Sequence, residues 1–388
     1  MIQKEENSNN SKPKVVLVRS CSLDFDVRSI KIINALRDGG YSCLLISWER
    51  ECKKAANANT KNKDYEQNSL RLKAPYGFLG VPFLFFWWFF VFIQLIRIKW
   101  DVAHAINFDC VIPVLIAAKL KKKSVVYEIL DVFEDQADFP KWLRKFILSI
   151  DKAFMRCASA VIIVDEEEIK EIEGIPNDNI VIIYDSPYQT FTRDDFDISN
   201  KNYRTFTLFY AGMLNSKRRL NIENVVDAIK DVDDVKLIIA GYGDLVPWIK
   251  EMTRFLPNKI QFIGKLPYEE VIKKGREVDA FFVLRDSAIM LHKYICGSNL
   301  FNAMACGKPI IVNKGTSTAK KVLKNKCGLI VDAKHIEEIK NAIITLKKDK
   351  KLCKELGLNG RKAYENKYGW QIMKNKLLNL YYKLLNGK

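Results

Sequence analysis

Short apolar runs rich in β-branched residues recur along the chain and alternate with stretches of helical period. In the first half, Lys14–Arg19 (KVVLVR), Cys43–Ser47, Val102–His104, Ser124–Tyr127, Ala160–Val164 and Ile180–Ile183 have the continuous apolar character of strands buried on both faces. Helical patterns lie between most of them, such as Val27–Asp38, which Gly39 and Gly40 stop. This alternation predicts an α/β domain built on a doubly wound parallel sheet. The rhythm breaks over Asp185–Tyr203, a polar stretch holding Pro187 and the acidic Asp194, Asp195 and Asp197. It restarts with Thr205–Ala211, Val235–Ala240, Ile260–Ile263, Ala280–Leu284, Pro309–Val312 and Gly328–Val331. The pattern predicts two Rossmann-like domains facing a central cleft, because open α/β sheets bind ligands beyond the carboxyl ends of their strands. The expected divisions are a disordered tail at 1–13, an N-terminal domain at 14–186, a linker at 187–203 and a C-terminal domain at 204–369. An amphipathic helix within 370–388 is expected to cross back to the first domain.

One segment departs from this pattern. Phe78–Ile96 (FLGVPFLFFWWFFVFIQLI) has no charged residue, with Arg71 and Lys73 before it and Arg97 and Lys99 after it. Its length approaches the roughly 20 residues that span a bilayer. Three readings stay open: a transmembrane helix, a buried core helix, and a helix or hairpin entering one leaflet. Gly80 and Pro82 argue against a continuous span, and the Trp87–Trp88 pair and flanking cations suit a headgroup boundary.

Composition narrows the function classes. The chain has 388 residues, enough for two full cores, with 48% hydrophobic and 28% charged residues as in ordinary globular proteins. Nine cysteines without a C-x-x-C pair fit reduced thiols, and with three histidines (His104, His292, His335) they give no metal-ligand spacing. The polar opening MIQKEENSNNSKP is not a signal peptide, which suits a cytoplasmic body. The net charge of +17 fits nucleic acid, anionic lipid or phosphorylated substrates. No zinc-finger, RNA-recognition or helix-turn-helix signature is present, so nucleic acid is the weakest of these.

Candidate chemistry sits where predicted strands meet glycine. Tyr210–Leu214 (YAGML) leads into Lys217, Arg218 and Arg219, so a glycine turn and fixed cations follow a strand, as a phosphate site requires. Such a basic triplet is otherwise an ordinary solvated surface. Ile238–Asp244 (IIAGYGD) repeats the strand-to-glycine pattern at Gly241, with an ordinary tight turn as the plain alternative. In Gly297–Val312 (GSNLFNAMACGKPIIV) small residues open a helix, and Gly307 and Pro309 close it. The amides of Ser298, Asn299 and Leu300 at that helix start again suit phosphate.

These motifs, with FIGKLPYEEV around Lys265, the later CGLIV and the closing LGLNGRKAYENKYGW, resemble the donor domain of group 1, family-4-type retaining glycosyltransferases of GT-B fold. The first half is similar more loosely, through DVAH at Asp101–His104, the following Phe108-Asp109, and LIAAKLKKKSVVYEILDVFED. The resemblance implies a nucleoside diphosphate sugar, UDP- or GDP-linked, held by the second domain, with Arg218 and Lys293 at the diphosphate and sugar and Arg219 beside them. Gly212, Gly241 and Lys265 belong to the same implied donor site. Protein cations and amides would stabilise the leaving diphosphate, so no metal or other cofactor is implied. His104 would orient the donor sugar, with a satisfied structural histidine as the equal alternative; Asp109 and Asp131 would position an acceptor hydroxyl, and Glu128 and Glu134 are weaker candidates. Asp165–Glu168 (DEEE) reads as stabilisation of a helix N-terminus.

Three departures bear on activity. A Glu-x7-Glu pair is usual, and here Asn302 holds the second position and Tyr294 the first. Ile106 stands where many members have a second histidine, and Arg19–Arg28 (RSCSLDFDVR) replaces a glycine-rich loop, leaving Arg28 as a phosphate candidate. The expected protein is thus a nucleotide-sugar-dependent hexosyltransferase. It would act on a lipid-linked or cell-surface glycan acceptor in polysaccharide biosynthesis, peripherally bound to the inner face of the cell membrane. The alternatives are a non-catalytic homologue that binds a partner enzyme or membrane and, more weakly, a sugar-nucleotide epimerase.

Overall fold

The computed structural model describes residues 12–21, 26–50, 65–75, 78–130, 141–171, 174, 177–188, 205–216 and 219–387. The polar tail to residue 11, the linker from 189 onward, and the candidates Asp131, Glu134 and Arg218 lie outside these residues. The chain forms two compact units, one comprising 1–163, 175–181 and 374–388, the other 164–174 and 182–373.

In the first unit β1 (Lys14–Arg19), α1 (Val27–Asp38), β2 (Ser42–Glu49) and β3 (Glu66–Arg71) are followed by a 3-10 segment at Phe78–Phe83 and α2 (Leu84–Arg97). Then come β4 (Val102–Ile106), α3 (Phe108–Lys121), β5 (Ser124–Ile129), α4 (Lys141–Cys157) and β6 (Ala160–Ile163). The short α5 (Glu168–Glu171), which belongs to the second unit, precedes β7 (Ile180–Ile182) of the first sheet. The sheet order is β3-β2-β1-β4-β5-β6-β7, and β3 through β6 pair in parallel. The order turns at β1, whose neighbours are β2 and β4, the switch point of a doubly wound fold.

The second unit contains β8 (Phe206–Met213), α6 (Ile222–Ile229), β9 (Val235–Tyr242), α7 (Val246–Phe255), β10 (Ile260–Phe262), α8 (Tyr268–Glu277) and β11 (Ala280–Val283). It continues with α9 (Met290–Tyr294), α10 (Ser298–Ala305), β12 (Ile310–Asn313), α11 (Ser317–Asn325), β13 (Gly328–Val331), α12 (Ile336–Lys348) and α13 (Lys350–Ala363). Its order β10-β9-β8-β11-β12-β13 turns at β8. The last helix, α14 (Trp370–Asn386), begins in this unit, and from Lys374 onward it belongs to the first.

Two sequence expectations change. β3 (EQNSLR) was absent from the predicted strands because its residues are half-exposed or exposed and show no apolar alternation. It is an edge strand held by its ladder to β2. The apolar segment is divided at Pro82 into the 3-10 turn and α2. One face of α2, Leu84, Trp87, Val91 and Leu95, is buried, while Phe85, Phe86 and Phe89 are 67%, 63% and 69% exposed. Trp87 is fully buried and Trp88 half-buried. The Trp87 and Trp88 indoles donate to the Asp109 carbonyl at 3.1 and 2.9 Å, and Trp87 stacks on Trp48 at 5.7 Å.

A buried charged cluster joins four elements of the first unit. Glu128 of β5 accepts from Arg28 Nε and Nη2 of α1 at 2.7 and 2.5 Å, and its second oxygen lies 3.1 Å from His104 Nε2 of β4. The other ring nitrogen, His104 Nδ1, is 2.8 Å from the Tyr381 hydroxyl of α14. Burial alone would raise the Glu128 pKa, but Arg28 and His104 outweigh it and hold the carboxyl at about 2. Lys374 also pairs with Asp38 at 2.6 Å, and Leu378 packs against Gly39, where a Cβ would collide with it. Glu128→Gln removes the buried charge that faces both Arg28 and His104 and is expected to cost about 3–5 kcal/mol in urea denaturation. Because the folded pKa lies below the unfolded value of about 4.3, wild-type stability from this group holds above that pH. It declines as pH falls towards about 2, and the variant should lack that part of the acid dependence.

Candidate active site

In the second unit, the carboxyl ends of β8 and β9 approach each other backbone to backbone. Gly212 and Gly241 are register partners, and a Cβ on Gly241 would run into the Gly212 carbonyl. Two residues on, Gly243 has φ +143° and sits against the Leu214 carbonyl, where a Cβ would also clash. The loops are latched by Asp244, which accepts from Ser216 N at 2.8 Å and Ser216 Oγ at 2.7 Å; these bonds lower its pKa. Gly241 N donates to Gly264 O at 2.8 Å, bringing in the loop that carries Lys265. The Lys265 ammonium lies 5.3 Å from the centre of the Tyr242 ring.

The first turn of α10 is bonded to β8 through Asn299. Asn299, 2% exposed, donates from Nδ2 to Ala211 O at 2.9 Å and accepts from Ala211 N at 3.4 Å. The helix is N-capped by Gly297, which has no side chain to satisfy the first amides. Leu300 N bonds Gly297 O at 3.2 Å, so the start of the helix is tightly wound. Ser298 is half-buried and Leu300 fully buried.

Arg285, overlooked in the sequence, and Asp165, read there only as a helix-start charge, shape this turn. Arg285, just beyond β11, lies so close to Gly297 that a Cβ there would sit 2.9 Å from its guanidinium carbon. The guanidinium therefore lies against the positive end of α10. Asp165 is fully buried, and its Oδ2 accepts from Cys296 N at 2.8 Å and Ser317 Oγ at 2.6 Å. Its Oδ1 accepts from Lys321 Nζ at 2.6 Å and Glu167 N at 3.0 Å. The carboxylate thus fixes the backbone one residue before the α10 cap. Burial lowers the Lys321 pKa, but the Asp165 and Glu166 carboxylates beside it outweigh that and raise it.

The remaining donor candidates each have a contact of their own. Arg219 is in the left-handed region (φ 41°), and its Nη1 lies 3.3 Å from Asp286 Oδ2, next in sequence to Arg285. Lys293, exposed on α9, lies 5.4 Å from the Tyr294 ring centre. Asn302 is 3% exposed on α10, and its Oδ1 accepts from the Tyr268 hydroxyl at 3.3 Å.

The first-unit candidates have partners inside that unit. His104 has no exposed surface and sits between Tyr381 and Glu128. Asp109 accepts from Ser20 Oγ and lies 3.5 Å from Arg50 Nη2. Arg28, considered above for phosphate, is 6% exposed and gives two nitrogens to Glu128.

Comparison with known proteins agrees with this layout. Residues 191–363 match the family described as Glycosyl transferases group 1. The whole chain superposes on Anabaena HepE, solved in complex with UDP, with a TM-score of 0.69 at 14% identity, covering 96% of this chain and 100% of that one. Residues 191–363 are thus similar to group 1 glycosyltransferases, and the chain has a GT-B fold. An uncharacterized glycosyltransferase of Methanocaldococcus jannaschii is 26% identical over 203 residues, 50% of this chain and 49% of its own. A GDP-mannose-dependent monoacylated alpha-(1-6)-phosphatidylinositol monomannoside mannosyltransferase of Corynebacterium glutamicum is 27% identical over 149 residues, 38% of this chain and 39% of its own. The chain thus spans about half or less of the length of these curated relatives. The family match contains the two glycine loops, Arg285, α10 and Asn302.

The backbone contact makes a direct prediction. Gly241→Ala should force β8 and β9 apart at their carboxyl ends, lowering stability by about 1–3 kcal/mol. Thermal denaturation of this variant beside Lys250→Ala, an exposed control on α7, measures the effect; equal melting temperatures would show that the close approach is not required.

Proposed function

We propose that this protein transfers a sugar from a nucleoside diphosphate donor, UDP- or GDP-linked, to a lipid-linked or cell-surface glycan at the cytoplasmic face of a membrane. The reading is carried by one observation: Arg285 lies against the N-terminus of α10, so two positive groups share one place. Such an arrangement is stabilised by an anion between them, and a diphosphate supplies two phosphates for the helix amides and the guanidinium. Arg219, Lys265 and Lys293 are the further cations of the donor site in this reading. HepE carries UDP, and the Corynebacterium relative is named for GDP-mannose and a phosphatidylinositol-based acceptor, which supports both halves of the proposal.

The chemistry asked of the protein is electrostatic. The acceptor hydroxyl attacks the anomeric carbon as the bond to the diphosphate breaks, and the leaving phosphate takes the acceptor proton on the same face, which retains configuration. Arg285 and the α10 amides stabilise the charge that develops on that phosphate. No protein nucleophile and no metal enters the scheme. His104 and Asp109 act in it by holding the first unit's sheet.

A non-catalytic homologue is the second reading, favoured by Asn302, which replaces the family's carboxylate and accepts from Tyr268. Incubating the full chain with radiolabelled UDP- and GDP-sugars and a membrane lipid extract separates the two. Transfer of label from one donor to the lipid phase is expected, with Arg285→Ala raising the donor KM by about tenfold or more. Donor binding without transfer to any lipid or glycan fraction would favour the second reading. In that case Asn302→Glu, which restores a carboxylate, should tighten nucleotide binding.

A further inference from the structure

The outer surface of three neighbouring helices in the first unit has an unusual composition. α2 packs on α3, and α3 on α4, where Phe108 meets Phe154 at 5.6 Å between ring centres. Their buried faces are ordinary core. Their outer faces carry Phe85, Phe86 and Phe89 on α2, Ile116 and Leu120 on α3, and Trp142 and Phe146 on α4, each more than half exposed. Solvent-facing helix positions normally hold polar residues, so an apolar outer stripe on three adjoining helices marks a contact surface.

The charges decide what it contacts. Within α2, α3 and α4 the only acidic residues are Asp109 and Asp151, which are 9% and 1% exposed. Asp151 accepts from the Tyr127 hydroxyl at 2.6 Å. No acidic side chain of these helices therefore reaches the surface, while Arg97, Lys119, Lys145 and Arg156 are exposed, as are Lys99 and Lys122 just beyond α2 and α3. Lys121 Nζ donates to Ile98 O at 2.5 Å, so the carboxyl ends of α2 and α3, with their cations, lie side by side. A second copy packed on this face about a twofold axis would set these cations against their own equivalents. An anionic bilayer neutralises them and takes up the aromatic rings at headgroup level.

We infer that the outer face of α2, α3 and α4 is a lipid-binding surface for anionic bilayers, which the phenylalanines enter without crossing. One face of α2 is committed to the unit's core and both of its tryptophans are bonded to Asp109, so the helix lies along the surface. Leu79–Arg97 is long and apolar enough to span a membrane, but a span would strip Leu84, Trp87, Val91 and Leu95 from their packing. That this surface brings the protein to its acceptor rests on the proposed transfer; the lipid binding itself does not.

Vesicle flotation of the purified full chain tests this without donor or acceptor. Binding to phosphatidylcholine vesicles containing phosphatidylglycerol is expected, at least about tenfold stronger than to phosphatidylcholine alone and weakened by high salt. The triple variant Phe85→Ser, Phe86→Ser, Phe89→Ser should lose it while keeping the wild-type melting transition. Lys119→Glu with Lys122→Glu should lower only the phosphatidylglycerol-dependent part. No binding to either vesicle would overturn the inference. So would equal binding to both, or a concentration-dependent dimer that the triple variant abolishes. A failed transfer assay with intact vesicle binding would count against the proposed function alone.

Discussion

The site in the second unit depends on the contact between two main chains. β8 and β9 end with Gly212 and Gly241 so close that neither a Cβ on Gly241 nor one on Gly243 has room. This approach closes the sheet beneath the loops and leaves the space beyond the strand ends to be shaped by α10 and the loop after β11. Asn299 bonds α10 to the β8 backbone in both directions, so the helix start is fixed by the same strand whose end the glycines define. Arg285 reaches Gly297 only because the cap, too, lacks a side chain. Small residues at these positions let one guanidinium approach the start of α10, the arrangement on which the proposed diphosphate site rests.

Each unit also buries a carboxylate among donors. Glu128 sits between Arg28 and His104, and Asp165 between Lys321, Ser317 and two main-chain amides. A buried ion pair adds little net stability over a well-packed apolar group, yet losing one partner is costly. Such clusters therefore specify geometry more than they add stability. Glu128 ties α14 to the first sheet through His104 and Tyr381, and Asp165 ties the backbone leading into α10 to α11. The histidine that resembles a catalytic motif is thus part of the scaffold.

The strands of both sheets were legible because parallel strands buried on two faces read as unbroken apolar runs. β3 was not, because an edge strand of polar residues is held by main-chain bonds that leave no apolar pattern. The glycine loops and the α10 start were legible from glycine positions and small residues. Arg285 was not, because its role comes from its approach to Gly297. Asp165 was legible only as a helix-start charge in DEEE, because its partners Cys296, Ser317 and Lys321 lie far along the chain. Arg28 was read for its charge alone, while the counterion that claims it lies 100 residues further on. The apolar segment announced a contact surface, but the share of α3 and α4 in it emerges only when the helices are set side by side.

The central claim is that the second unit holds the diphosphate of a nucleotide. Isothermal titration calorimetry of the full chain with UDP and GDP, each beside its nucleoside, tests it most directly. The account predicts saturable binding of one diphosphate, weakened at least about tenfold when the phosphates are removed. A nucleoside that binds as tightly as its diphosphate, or no binding by either nucleotide to folded protein, would contradict it.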